Sequence, residues 1–436
     1  MYSLFSLYFL WFNNCNDYGS YRYFRFMNIY ALLTPLVLLL LLAEILYSHF
    51  SGKKLYSFQD TIANLGTGIG NQCVNLAVAY FVFKFYGFLY QFAPYKFEVV
   101  WYNFILLLVL QDFVFYWFHR VGHSINIFWA AHMPHHSSEE MNLSVGLRAS
   151  FTQRIFQFAF FDWVFPLMGF SPEMVYSVAA VHLLLAYWHH TKAINKMGWI
   201  GKVFVVPSHH RVHHGVNTQY LDKNFSEVFI FWDKLFGTYA PEEEPVCYGV
   251  TKPPQSWDPI LINIQFWKHL WDDAVAAPYF IDKIRVWFMP LGWRPRDIGH
   301  GHIPRIGYNT AEQVKYSTNE FPQSRFYLVV QVVVGLLLLY VAINQKLPIE
   351  LFDRIFLSVT IVLMIVSWSR VLEGKANAML IETIRLFVNA IALGWVFYHS
   401  FDMPLLSWQI ATVFLVFGLS MLWATFIQAK RKSRLV

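Results

Sequence analysis

Apolar residues occur along this chain in long runs that are separated by short polar segments. The first clear run extends from Ile29 to Phe50 and is followed by two basic residues, Lys53 and Lys54. A helix of about 20 apolar residues crosses a hydrocarbon core of about 30 Å. By the same criterion, two further spans are predicted at Val74–Phe92 and Val99–Phe118. The first third of the chain therefore has the pattern of a protein that crosses a membrane several times.

Two later regions continue this pattern. A pair of shorter apolar runs, Ile155–Gly169 and Met174–Trp188, is expected to cross as a hairpin or to re-enter the membrane. The C-terminal part forms a separate hydrophobic block, which we assign to anchoring, substrate access or association. Lipid-facing backbone groups must be hydrogen-bonded within their own segment, so helices rather than sheets are expected throughout. The spans predicted in this block are Phe326–Ile343, Leu351–Trp368, Leu380–Phe397 and Leu405–Phe426.

Composition supports the same class of protein. Hydrophobic residues make up 56% of the 436 residues and charged residues 14%, whereas about a quarter of the residues in soluble domains are charged. The net charge of +6 includes the final basic segment, residues 430–434, which fits a cytoplasmic tail. Nucleic-acid binding is not predicted. The cysteines, Cys15, Cys73 and Cys247, suggest neither a disulfide framework nor a zinc ribbon.

The patterns divide the chain into four parts. Residues 1–27 form an N-terminal extension, and residues 28–255 form a membrane domain that carries most of the histidines. Residues 256–320 alternate aromatic and charged residues before a loop, and are expected to form an amphipathic cytosolic cap and linker. Residues 321–436 form a C-terminal transmembrane bundle. In the linker, His300 and His302 are expected to be solvated rather than metal-bound.

Histidines cluster at the ends of the predicted spans. His119 and His123 are four residues apart, and two later sets repeat the spacing i, i+3, i+4. On a helix these spacings place side chains on one face, so each set can present two or three imidazoles to one point. Eight imidazoles are too many for one tetrahedral zinc ion but suit two metals sharing one site. The two later sets are His132, His135 and His136, and His210, His213 and His214.

Two adjacent histidines, His189 and His190, end the apolar pair and offer a ninth ligand. We favour His190 for this role. His182, eight residues before His190, is assigned to packing within the membrane. The fold class predicted is all-α, a multi-pass transmembrane helical bundle. Because the clusters lie at span ends beside polar segments, the histidine-rich metal site is predicted at the cytosolic membrane face.

Several polar residues are candidates for orienting the histidines, since metal-bound imidazole usually donates its other N–H to a neighbour. Asp112 lies seven residues before His119 on nearly the same helical stripe, and a structural carboxylate is the equal alternative there. The polar stretch 137–154 is interpreted as a cytosolic segment beside the site, where simple solvent exposure is the alternative for each residue. The other candidates are Glu139, Glu140, Asn142, Asp222 and Asn224.

The combination HxxxH, HxxHH and HxxHH in a multi-span chain resembles the fatty acid hydroxylase/sterol desaturase superfamily. The segments YWFHRVGH (116–123), PSHHRVHHG (207–215) and WDKLFGTY (232–239) are similar to the members of that superfamily that cleave glyceryl ethers. The resemblance covers most of the chain from about residue 30 onward, and its motifs are specific.

The resemblance implies a membrane di-iron monooxygenase that acts on an alkylglycerol or lyso ether lipid with O₂ and tetrahydrobiopterin. The ether-bearing carbon is hydroxylated, and the hemiacetal collapses to a fatty aldehyde and a glycerol derivative. No nucleophile separate from the metal centre is implied. The location is the endoplasmic reticulum membrane in a eukaryote or the inner membrane in a bacterium. By motif match, the iron ligands are His119, His123, His132, His135, His136, His190, His210, His213 and His214.

Two positions depart from the family pattern. Ser124 stands where an acidic residue is often found, and Ser226–Glu227 stand where a small residue and glycine follow the KNY motif. These departures leave the reductant and the exact lipid open. The alternatives are a sterol, sphingolipid or fatty acyl hydroxylase or desaturase, and, in a different class, a non-catalytic metal-binding membrane protein or transporter. A transporter would need ligands near the bilayer midplane on broken helices, so clusters at span ends favour an oxygenase.

Overall fold

The computed structural model describes residues 20–298, 307–308, 311–319, 322–344, 347–404 and 407–432. Within these residues every regular element is helical, apart from three isolated β-bridges. This result confirms the predicted all-α bundle. Most of the predicted N-terminal extension, and His300 and His302, lie outside the described residues.

Among the described residues, the first part of the chain contains twelve α-helices, which we number in chain order. Three are long: α1 (Ser20–Ser51), α2 (Phe58–Tyr90) and α3 (Trp101–Gly122). The shorter ones are α4 (Asn126–His136), α5 (Gln153–Gln157), α6 (Val164–Met168), α7 (Pro172–Tyr187), α8 (Ile200–Val203), α9 (Pro207–His213), α10 (Phe231–Leu235), α11 (Pro259–Ala276) and α12 (Phe280–Phe288). A π-helical turn, Phe158–Asp162, joins α5 to α6, and 3₁₀ turns occupy Val145–Leu147 and Arg296–Ile298.

The C-terminal bundle contains four long helices: α13 (Pro322–Ile343), α14 (Leu351–Leu372), α15 (Ala378–Ser400) and α16 (Trp408–Lys432). In the described residues, seven helices are long and apolar enough to span a membrane: α1, α2, α3 and α13 to α16. Each predicted long span therefore corresponds to one of these helices. The chain is a multi-pass membrane protein.

Helix α2 is longer than the predicted span Val74–Phe92, because it begins at Phe58. Its first half carries buried polar residues at helical spacing, among them Asp60, Asn64 and Asn71. These side chains bond to the segment that follows the second histidine set: Asn64 donates to Ser144, for example, at 3.0 Å. These polar residues form a stripe that faces the protein interior, and an apolar run alone does not mark this half of the helix.

The apolar pair after the second histidine set is broken into short helices. Gly169 has a φ of +105°, which ends α6 and turns the chain back towards α7. Helix α7 has 16 residues, fewer than the roughly 20 needed for a complete crossing. The helix lengths therefore favour the re-entrant alternative over a hairpin with two complete crossings.

The C-terminal block packs against the first part of the chain. Its buried core, which includes Met364 and Trp368 of α14, is continuous with Ile62 and Ile69 of α2. Close contact between α2 and α14 is possible because Gly70 has no side chain. A Cβ atom at this position would clash with Ile365 and with Phe151. The bundle is thus packed directly on a helix that also supports the histidine-bearing part.

Candidate metal centre

The first pair of histidines is presented by the end of α3. This helix ends at Gly122, so His119 lies in its last turn and His123 caps it. Both side chains are buried. His119 Nδ1 donates to the carbonyl oxygen of Phe225 at 2.8 Å, which turns Nε2 towards the interior of the protein.

The second set lies on α4 and the third on α9 and just beyond its end. Helix α9 begins at Pro207, whose fixed φ suits the first turn. The ninth candidate, His190, follows the end of α7 and is buried. Three separate chain segments thus bring imidazoles to the end of α3.

The structure divides the nine histidines into two groups rather than one. His119, His123, His132, His136 and His213 form the first group, and His135, His190, His210 and His214 form the second. In each group the potential ligand atoms lie within 4.8 Å of one another. We call these the five-histidine group and the four-histidine group.

Helix geometry explains the division. Residues four apart on a helix share a face, whereas a residue one position earlier is rotated by about 100°. His132 and His136 therefore enter the five-histidine group while His135 crosses to the other. In the third set, His213 belongs to the five-histidine group, whereas His210 and His214 belong to the four-histidine group. Each HxxHH motif thus serves both groups, where the sequence spacing predicted one point of convergence per set.

The spacing of the Nε2 atoms fits metal ligands. In the five-histidine group, His132 Nε2 lies 3.0 Å from that of His119 and 2.9 Å from that of His136. In the four-histidine group, His210 Nε2 lies 2.9 Å from that of His190 and 3.0 Å from that of His214. A metal–imidazole bond of about 2.1 Å puts two ligands at right angles about 3.0 Å apart. Both groups therefore match the ligand shell of a metal ion.

The outer nitrogens of several rings are held by backbone carbonyls. Besides His119, His213 Nδ1 donates to Lys223 O at 3.0 Å, and His135 Nδ1 to Arg148 O at 3.2 Å. His190 Nδ1 donates to Tyr187 O at 3.2 Å. A hydrogen bond at one ring nitrogen fixes the tautomer and leaves the lone pair of the other for a metal.

The electrostatic surroundings keep these rings neutral. Burial, followed by the charges of neighbouring imidazoles, lowers the pKa of His132, His136 and His213 well below the usual 6.5. The same holds for the pKa of His190, His210 and His214, and burial lowers the pKa of His135 to about 4. Neutral imidazole is the form that binds a metal.

Two further histidines lie near the centre but outside both groups. The ring of His189 is 5.7 Å from that of His210, and its Nδ1 has no hydrogen-bond partner among the described residues. His182 donates through Nε2 to Asp112 at 2.9 Å and packs against Phe115. The structure therefore brings His190 rather than His189 to the ligand positions.

The six polar candidates have different surroundings. Asp222 lies beside a ligand candidate, since its Oδ1 is 3.7 Å from His123 Nδ1. Asn224 donates to the carbonyl of His209 at 3.1 Å and so braces α9. Asp112 instead accepts from His182, from the backbone of Val228 and Phe229, and from the indole of Trp232.

The other three candidates bond away from the imidazoles. Glu139 accepts from the backbone N–H of Tyr316 at 2.6 Å, and Glu140 pairs with Lys192 and Lys315. Asn142 donates to the carbonyl of Leu55 at 2.9 Å. Asn142 and Glu139 are also buried, so this segment packs under the site rather than lying in solvent. The three candidates therefore hold that segment in place instead of orienting an imidazole ring.

Sequence reasoning missed Arg148. Its guanidinium is buried, donates to Pro134 O at 3.2 Å, and pairs with Asp60 at 3.2 Å. Its own carbonyl accepts from His135. Arg148 therefore fixes both the backbone and the ring of a ligand candidate. The signal available in the sequence was a lone arginine inside an otherwise uncharged stretch, 141–153.

A cavity of about 240 Å³ adjoins both groups. His119 and His132 of one group and His135, His190 and His210 of the other contribute to its wall. The rest of the wall is mainly apolar and comes largely from α1, α2, α3, α7, α13 and the segment 146–158, including Val37, Leu183 and Leu339. An apolar chain can therefore reach the histidines from within the helix bundle.

The comparisons with known proteins agree with this geometry. The fatty acid hydroxylase family model matches residues 104–238, a range that contains all nine histidines. Human alkylglycerol monooxygenase is 32% identical over 361 residues, which are 81% of this chain and 79% of the human one. The Xenopus tropicalis enzyme of the same name is 33% identical over 80% of this chain and 78% of its own.

The chain belongs to the alkylglycerol monooxygenase family. A more distant relative is an ornithine lipid hydroxylase, OlsE, of Rhizobium tropici, which is 27% identical over 36% of this chain and 47% of its own. No solved structure gives a significant match. Membership of the alkylglycerol monooxygenase family makes this protein an oxidoreductase, a lipid monooxygenase. The family and the histidine cluster together indicate iron binding. The cytosolic orientation of the cluster stays a prediction.

Proposed function

We propose that this protein cleaves the O-alkyl bond of alkylglycerols, with O₂ as oxidant and tetrahydrobiopterin as reductant. The nine histidines of the two groups bind two iron ions, one in each group. The observation that carries the proposal is the convergence of both Nε2 clusters on one wall of an apolar cavity. Membership of the alkylglycerol monooxygenase family supports the choice of substrate.

The metal pair, when bound, supplies the activation of O₂ needed to insert one oxygen atom into a C–H bond. The imidazoles contribute neutral nitrogen ligands whose directions are set by the carbonyls of Phe225, Lys223, Arg148 and Tyr187. Asp222 adds a carboxylate beside His123. No side-chain nucleophile is needed, because the hydroxylated ether carbon is a hemiacetal that collapses to an aldehyde and a free alcohol.

The cavity holds the alkyl chain and keeps water from the reacting carbon. Its apolar wall runs from the histidines to Leu33 and Leu38 of α1 and to Ile343 of α13. A lipid that enters between these helices presents the carbon near its head group to the metals while its tail stays in apolar surroundings. In this proposal residues 28–255 are the catalytic domain, α11 and α12 cover it on the cytosolic side, and the C-terminal helices complete the cavity.

The test is aldehyde release from 1-O-hexadecylglycerol by the purified, iron-loaded protein, with O₂ and tetrahydrobiopterin. We expect fatty aldehyde in proportion to pterin consumed, and none when either O₂ or pterin is omitted. Hydroxylation of a sterol or an acyl lipid without aldehyde from the ether would contradict the proposal and select the related hydroxylase activity. A protein that binds metal but oxidises none of these lipids would favour a non-catalytic role.

A further inference from the structure

The cavity wall contains a buried amide side chain, Gln111, without a hydrogen-bond partner among the described residues. Gln111 of α3 is 1% exposed, and neither its Nε2 nor its Oε1 has a hydrogen-bond partner among the described residues. Gln111, Phe115 and His119 follow each other at intervals of four residues and all line the cavity. They therefore form one stripe on α3, with the amide about 12 Å along the helix axis from His119.

Other amides in the same cavity are satisfied. Asn71 donates to Ser150 O at 2.5 Å, and Gln157 donates to Asp162 at 3.0 Å. A buried amide without a partner destabilises a protein, because it has lost its hydrogen bonds to water. Gln111 is thus the amide in this wall that a bound ligand would complete.

A carboxyl group faces the same cavity from another chain segment. Glu227 is buried and lines the cavity. It lies between Phe225, whose carbonyl accepts from His119, and Val228, whose N–H donates to Asp112 beside Gln111. Its backbone is therefore held between the histidines and the amide. Burial, followed by the nearby Asp112 charge, raises the pKa of Glu227 to about 8.

We propose that Gln111 and Glu227 form a polar subsite that binds the free hydroxyl groups of the lipid substrate. A carboxamide offers both a donor and an acceptor, and a carboxyl group accepts from a hydroxyl in either protonation state. Two neighbouring hydroxyls, as in a glycerol head group, match this pair. The inference rests on the proposed function for the identity of the lipid.

This subsite gives the lipid one orientation in the cavity. The head group lies against α3 and the segment 225–228, and the tail extends towards the apolar side chains of α1 and α13. The ether carbon follows the head group within the same cavity, whose wall also includes His119 and His132. Lipids whose hydroxyls are methylated fit the same apolar space but have no O–H to donate to Gln111 Oε1 or to Glu227.

The experiment measures binding, so that it does not depend on turnover. Radiolabelled 1-O-hexadecylglycerol and its 2,3-di-O-methyl ether are bound to detergent-purified protein, and their affinities are compared. We expect the wild type to bind the free diol about tenfold more tightly, the effect of one or two added hydrogen bonds. Gln111→Leu and Glu227→Gln should each reduce that preference, and Gln111→Leu should leave the affinity for the dimethyl ether unchanged.

The matched control is Asn103→Leu, which removes another buried amide from α3. Asn103 already donates to Glu98 O at 2.9 Å and does not line the cavity, so the diol preference should stay at its wild-type value. Iron content and melting temperature identify any variant that has lost its fold. An unchanged preference in a folded Gln111→Leu variant overturns the subsite. Absence of aldehyde release by the wild type overturns the proposed reaction, whereas a Gln111-dependent diol preference would still assign the subsite.

Discussion

The two halves of this membrane protein bury polar side chains in opposite ways. In the C-terminal bundle, Glu382 pairs with Arg385 and accepts hydrogen bonds from Tyr327 and Ser367. Each of these groups therefore finds its partner within the bundle. In the half that carries the histidines, nine imidazoles turn ring nitrogens towards each other at distances of about 3 Å. In four of these rings Nδ1 donates to a backbone carbonyl, which leaves the lone pair on Nε2 facing the other imidazoles.

The difference separates a structural network from a binding site. Polar groups at membrane depth are costly, and they persist when they are paired or when they serve a function. The C-terminal network is closed, so it needs no ligand and stabilises helix packing. The histidine network has the arrangement of a ligand shell, and a cation between its nitrogens would complete it. The same reasoning applies to Gln111, whose amide is open towards the cavity.

Removal of one ligand should produce the largest effect. We expect His135→Ala and His213→Ala, one from each group, to lower aldehyde formation by more than about 100-fold, since changes around metal ligands alone cost 10- to 100-fold. Each variant should also lose iron. The matched change is His399→Ala in the C-terminal network, where the ring donates to Asp353 at 2.7 Å. Wild-type activity in either of the first two variants would remove that residue from the centre.

The next largest difference between the two halves is expected when a buried arginine is replaced by lysine. Arg148 and Arg354 are both buried and both donate to backbone carbonyls, those of Pro134 and of Ile349 respectively. Lysine has no planar fork and cannot replace these contacts. We expect Arg148→Lys to weaken iron binding about tenfold through His135, as measured by chelator titration. Arg354→Lys should lower the melting temperature only, and equal iron affinities in the two variants would contradict this division.

Lowering the pH should destabilise the metal-free protein through the half that carries the histidines. Burial lowers the pKa of His132 and His136, and brings the pKa of His135 to about 4. The unfolded chain takes up protons near pH 6.5, whereas the folded chain does not. Stability is therefore complete above about pH 6.5 and falls as the pH approaches 4. We expect the melting temperature to decrease by several degrees between about pH 7 and pH 5; a constant value would show that the rings are not so buried.

The smallest effect is expected where the halves meet. Leu339 of α13 lines the cavity, whereas Leu337 on the same helix is 61% exposed. A tryptophan at position 339 takes up cavity space. Leu339→Trp should therefore raise kcat/KM for shorter alkyl chains relative to longer ones by about threefold, which corresponds to less than 1 kcal/mol. Leu337→Trp should keep the wild-type preference. Equal profiles for both variants would mean that the C-terminal bundle does not contact the substrate.

Local patterns in the sequence were enough to predict much of this structure. Apolar runs gave the long helices, and three- and four-residue spacings gave the histidine sets. Periodicity alone did not show that His135 and His213 each cross to the other group, because that depends on how α4 and α9 face each other. Spacing alone gave no basis for choosing His190 over His189, since neighbouring residues differ only in ring direction.

The features that could not be predicted from the sequence depend on contacts between residues far apart in the chain. Asp60 and Asn64 look like loop residues until Arg148 is placed against them, 84 to 88 positions later in the chain. The contact between α2 and α14 likewise requires the three-dimensional fold. The roles expected for Glu139, Glu140 and Asn142 rested on nearness in sequence to the second histidine set, but their side chains bond to other segments.

The most direct test is the number of iron ions bound per chain after purification in detergent, measured by mass spectrometry of the metal together with protein quantitation. The two histidine groups predict two iron ions per chain, and loss of iron in both His135→Ala and His213→Ala. A single ion per chain, or none after reconstitution with ferrous iron, would contradict the two-metal centre on which the proposed chemistry depends.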